Sequence, residues 1–85
     1  MSTMGNPERS DWLKAFGAAV RERRVQEGLS QEALGFRCGL DRTYVSGIER
    51  GVRNLSIWNV QRLALGLGTA ASDLLARAED ALRSE

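Results

Sequence analysis

The sequence predicts a compact, all-α domain of five helices. Three observations carry that expectation. Apolar residues recur at three- and four-residue steps in successive stretches. Capping residues and glycines punctuate those stretches where helices would start and stop. A composition of 42% hydrophobic and 27% charged residues with a single proline suits a folded, helix-rich globule. At 85 residues there is room for one domain, and so small a domain buries a modest share of its surface, so dimerisation would help it.

Residues 1–10 hold glycine, asparagine, the only proline and no apolar period, and read as a flexible N-terminal arm; residues 11–85 form the folded domain. The first helix spans residues 11–27, with Ser10 or Asp11 as its cap and Gly28 as its stop. Its stripe is Trp12 or Leu13, Phe16, Ala19 and Val20, and it is expected to pack across the next two helices. The second helix, residues 31–38, is capped by Ser30 and stopped by Gly39, a natural left-handed residue. The third, residues 42–50, is capped by Asp41 and closed by Gly51. Leu34, Cys38, Leu40, Val45 and Ile48 face inward on this pair, leaving Arg42, Thr43, Ser46, Gly47 and Arg50 outward as a donor-rich edge. Gly35 stands where a side chain larger than methyl would push the two helices apart.

Ser56 caps a fourth helix reaching residue 67. Its broad face carries Ile57, Val60, Leu63, Ala64 and Leu67, while Trp58 and Leu65 lie one above the other on nearly the opposite side. A fifth helix, residues 71–83, places Ala71, Leu74, Leu75, Ala78 and Leu82 on one stripe. That apolar surplus exceeds what one small core absorbs. A symmetric homodimer using Trp58, Leu65, Leu75, Ala78 and Leu82 is the expectation.

A net charge of +1 announces no nucleic-acid partner by itself, but its distribution is uneven. Residues 21–53 hold seven arginines against five acids, and residues 54–85 three arginines against four acids. Eleven of the twelve basic residues are arginine, the side chain that contacts guanine and phosphate bidentately. Enzyme chemistry has no obvious carriers: histidine is absent, the single Cys38 has no partner, and no carboxylates cluster at fixed helical spacing. No metal or cofactor is implied. Cys38 sits at an apolar position and reads as core packing. No signal peptide or apolar run of membrane length is present, which points to the cytoplasm.

With Gln31 as motif position one, Leu34, Cys38, Leu40, Val45 and Ile48 fall at positions four, eight, ten, fifteen and eighteen, with Gly39 at the turn. This register resembles the helix-turn-helix of the Cro/C1-type, or XRE, family of DNA-binding regulators. The run LDRTYVSGIERGVRNLS, residues 40–56, looks most like the controller proteins of bacterial restriction-modification systems. The resemblance implies a lambda-repressor-like fold and a homodimeric transcriptional regulator on a palindromic double-stranded DNA operator, with RNA polymerase as a further partner and no membrane. It implies base contacts from Arg42, Thr43, Tyr44 and Ser46, and backbone contacts from Arg50, Arg53 and Asn54. Tyr44 reads equally as half-buried packing. Gln31, in the first turn of its helix, is placed to hold a phosphate or is merely solvated. Gly47 is expected to let the backbone approach the groove. Glu49, a carboxylate on the reading helix, would repel phosphate unless paired. Its pairing with Arg24 resembles a structural ion pair of the family and is expected to turn Arg24 toward DNA phosphate. The rival reading is an antitoxin-type or phage-repressor-type regulator with a protein partner, which the neighbouring gene would distinguish.

Overall fold

The computed structural model describes residues 7–84 and contains five helices among them: α1 Arg9–Gln26, α2 Gln31–Cys38, α3 Arg42–Glu49, α4 Ile57–Leu67 and α5 Ala71–Arg83. Three of the five, α2, α3 and α4, begin at the expected caps, and α5 begins where apolar period alone places it. Ser30 Oγ accepts from the Ala33 N–H at 3.0 Å, Asp41 Oδ1 from Thr43 at 3.0 Å, and Ser56 Oγ from Asn59 at 3.1 Å, each satisfying a donor that the first turn leaves without a partner. The exception is α1, which begins before Asp11. Glu8 is its N-cap, and the Glu8 N–H donates to the Asp11 carboxylate at 3.1 Å, so the helix takes in Arg9 and Ser10. Of the residues expected to form the arm, Arg9 and Ser10 therefore belong to α1, and residues 1–6 lie outside the described part.

Gly39, at φ 71°, ends α2 in the left-handed region, and the Leu40 N–H then donates back to the Gly35 carbonyl at 2.8 Å. This tight reversal sets α3 against α2. It also explains Gly35 more stringently than the sequence does. A Cβ there would lie 2.5 Å from the Leu40 carbonyl oxygen, so even a methyl group displaces the turn.

The core gathers one face of every helix: Phe16 and Val20 from α1, Leu34 and Cys38 from α2, Val45 and Ile48 from α3, Leu63 and Leu67 from α4, Leu74 and Ala78 from α5. Burying each larger side chain stabilises the fold by about 1.5–3 kcal/mol. Burial also pushes up the Cys38 thiol pKa, keeping it protonated as an apolar filler. The main partners of α1 are α5 and α3, rather than the expected pair α2 and α3. With 18 residues and a length of about 27 Å, α1 is long enough to cross α3 and run beside α5 as well. Part of the α5 stripe thereby finds its cover within the monomer. Ala78 is fully buried and Leu82 half-buried, which removes Ala78 from the surface available to a second copy. Ile57 departs from expectation in the opposite sense and is 78% exposed. As the first residue of α4 it has the right angle but lies beyond the end of the packed face.

Candidate nucleic-acid interface

The outer side of α3 is assembled by its own cap. The Asp41 carboxylate accepts from both the backbone N–H and the hydroxyl of Thr43, and those bonds hold its pKa below the usual carboxylate value. Arg42 and Thr43 are fixed in the first turn, exposed, with Ser46 half-buried one turn further and Arg50 exposed beyond it. Arg50 Nε donates to Ser46 Oγ at 3.4 Å, tying the two along the face. Because Thr43 gives its hydroxyl proton to Asp41, it presents a methyl group and an acceptor outward, with no hydroxyl donor left for a phosphate. Arg53 and Asn54 are exposed in the segment after α3. Tyr44 is half-buried: its ring packs against the core and lies 5.5 Å beneath the Arg53 guanidinium, and its hydroxyl accepts from Asn59 Nδ2 at 3.1 Å. Gly47 is also buried. Arg53 lies over it, so its surface does not face solvent as expected.

Behind this face the one buried charged residue among those described, Glu49, is neutralised. Arg24 donates to its two carboxylate oxygens at 2.6 and 3.0 Å, and Gln31 Nε2 donates to Oε1 at 3.1 Å. A further Arg24 bond goes to the Leu29 carbonyl at 2.8 Å. The carboxylate raises the Arg24 pKa, chiefly through the hydrogen bond. With side chains 12% and 2% exposed, the pair is internal, and it joins α1, α2 and α3 at one point. The negative charge on the reading helix is thus cancelled from inside. Arg24 and Gln31 direct their donors at Glu49 rather than outward.

An exposed, donor-bearing helix held by a glycine turn against a capped partner is the geometry of a groove-reading module. Residues 20–74 match the helix-turn-helix family HTH_3. The chain belongs to the XRE-type helix-turn-helix family. It is a helix-turn-helix transcriptional regulator. Control protein C.BamHI of Bacillus amyloliquefaciens is 48% identical over 61 residues, covering 71% of this chain and 75% of that protein. Among solved structures, the restriction-modification controller C.AhdI from Aeromonas hydrophila superposes with a TM-score of 0.72 at 50% identity, over 73% of this chain and 94% of that one. The C.Esp1396I controller tetramer, in complex with its natural 35 base-pair operator, superposes with a TM-score of 0.77 at 31% identity, over 84% and 93% of the two chains.

This helix-turn-helix protein is held together by arginines to which helical period assigns no role. Arg62 donates to the Cys38 and Gly39 carbonyls at 2.9 and 2.7 Å, closing the C-terminal end of α2 from α4. Arg37 donates to the Gly66 carbonyl at 3.2 Å, and Arg23 to those of Leu67 and Gly68 at 3.3 and 3.2 Å. Position along the sequence carried no signal for these bonds, because each acceptor lies 23 to 45 residues away on another helix, at an end where carbonyls lack partners. Trp58 and Leu65 are 63% and 67% exposed along one line of α4, with the less exposed Leu75 on neighbouring α5. Phe36, on the outer side of α2, is 89% exposed and was not singled out by periodicity.

Proposed function

We propose that the protein is the controller of a bacterial restriction-modification system, acting in the cytoplasm as a non-enzymatic homodimer on a palindromic DNA operator. The observation that supports this best is the outward face of α3, where Arg42 and Thr43 are exposed and Ser46 half-buried beside them, while Glu49 is neutralised beneath the face. Arg42, at the N-terminal end of α3, donates bidentately to a guanine; Thr43 sets its methyl group against a thymine; Ser46 contacts a base edge. Arg50, Arg53 and Asn54 hold the backbone. Tyr44, Gln31 and Arg24 support these contacts from behind, Tyr44 accepting from Asn59 while Gln31 and Arg24 donate to Glu49. Trp58, Leu65 and Leu75 join two copies, with Leu82 at the margin, and place two α3 helices in successive major grooves about 34 Å apart.

The likeness to C.BamHI and C.AhdI supports the controller assignment, and the operator-bound C.Esp1396I structure supports the mode of binding. Regulation then follows concentration, through the dimer equilibrium and operator occupancy. Contact with RNA polymerase bound alongside activates, and coverage of a promoter represses. The test is a gel shift and footprint on the DNA upstream of its own gene, titrated in protein and salt. Paired half-sites are expected, with a logarithmic salt slope of about −0.9 per neutralised phosphate. Absence of any protected site on that DNA overturns the proposal.

A further inference from the structure

The segment after α3 is folded back onto the reading helix by a defined chain of bonds. Gly51, at φ 76°, takes the left-handed conformation that ends α3, its N–H donating to the Ile48 carbonyl at 3.0 Å. The next N–H, of Val52, donates to the Gly47 carbonyl at 3.0 Å. This pairing delivers the following residue, Arg53, across the face that Tyr44 and Gly47 share at three-residue spacing. A Cβ on Gly47 would lie 2.8 Å from Arg53 Cγ and 3.1 Å from its Nε. Only glycine leaves that path open. Beyond it, the guanidinium sits 5.5 Å from the centre of the Tyr44 ring, within range of cation–π attraction.

The ring itself is held from α4. Asn59 Oδ1 accepts from Arg62 Nη1 at 3.4 Å, and an arginine can only donate. The other end of the Asn59 amide must therefore be its NH2, which donates to the Tyr44 hydroxyl at 3.1 Å. Arg62 is anchored in turn on the Cys38 and Gly39 carbonyls. A continuous series runs from the turn of the helix-turn-helix through Arg62, Asn59 and Tyr44 to Arg53.

We propose that Asn59 and Gly47 are positioning residues for Arg53, fixing its guanidinium beside α3 before DNA arrives. Neither needs to touch DNA. Asn59 acts by holding the ring on which the guanidinium rests, and Gly47 by leaving room for the side chain to lie flat. A long side chain ordered in advance has less freedom to lose on binding. This inference rests on the DNA-reading role proposed above.

The experiment first selects duplexes from a random-sequence pool with the unaltered protein, then measures affinity for the selected site. Asn59→Ala and Gly47→Ala are each tested with Arg53 present and in an Arg53→Ala background. With Arg53 present, each should weaken binding by about three- to tenfold, the cost of one side chain left to be ordered on binding. In the Arg53→Ala background each should change affinity by less than about twofold, because the residue they position is gone. Circular dichroism and thermal melting check that every variant is folded. The three atoms nearest a methyl group at Gly47 all belong to the Arg53 side chain, so Gly47→Ala provides the test should Asn59→Ala fail to fold. Equal losses in both backgrounds, or no loss in either, overturn the inference while leaving the DNA-reading proposal standing. Failure of the unaltered protein to enrich any sequence overturns both.

Discussion

Arginine occupies two kinds of region in this molecule, and they behave oppositely. Along the seams between helices, Arg23, Arg24, Arg37 and Arg62 direct their donors at carbonyls of helix ends or at the Glu49 carboxylate. On the outer side of α3, Arg42 is exposed without a carboxylate partner, Arg50 touches only the Ser46 hydroxyl, and Arg53 rests on an aromatic ring. The residue type is the same; the difference is whether an acceptor from another helix or its end lies within reach. A seam arginine exchanges water for acceptors that would otherwise be left unsatisfied, whereas a face arginine stays hydrated and available to DNA. Counting basic residues therefore overstates the reading surface. A net charge of +1 is compatible with a DNA-binding face because part of the arginine belongs to the scaffold and Glu49 is cancelled internally.

Removing an arginine from each region separates them. Arg24→Ala strands a carboxylate that is 2% exposed, and the expected loss of stability is about 3–5 kcal/mol, read from urea unfolding. Replacing both members, Arg24→Leu with Glu49→Leu, should recover most of it, since the cost lies in the unpaired charge rather than in the missing bridge. Arg62→Ala exposes two carbonyls at the end of α2 to weaker partners, with an expected loss of about 1–3 kcal/mol in the same assay. Arg42→Ala should leave unfolding within about 0.5 kcal/mol of the unaltered chain, while discrimination between the selected site and one with its guanine replaced falls by about 1–3 kcal/mol. A large stability loss from Arg42→Ala, or a purely DNA-level effect from Arg24→Ala, would erase the distinction.

Much of the helix-turn-helix was legible because its determinants are local. Ser30, Asp41 and Ser56 cap helices through atoms two or three residues away, and Gly39 stops α2 through its own φ. Inward positions such as Leu34, Val45 and Ile48 follow from a 3.6-residue period that needs no knowledge of the neighbour. Periodicity gives an angle but not an end point. Ile57 has the inward angle and is exposed, while Ala78 was offered to a partner and is covered by the monomer's own packing. Gly47 is a further case. Facing outward by period, it is covered by Arg53, which the turn at Gly51 brings back over it.

By itself the sequence determined the five helices, the caps of α2, α3 and α4, the turn at Gly39, and the outward row Arg42, Thr43, Ser46 and Arg50, because each depends on residues within about one turn. Tertiary structure alone decided which arginines became scaffold, how much of α5 remained for a partner, and how Tyr44 is held. Those outcomes depend on where α4 meets α2 and where α1 meets α5. Only there do acceptors and apolar faces from distant segments come within reach.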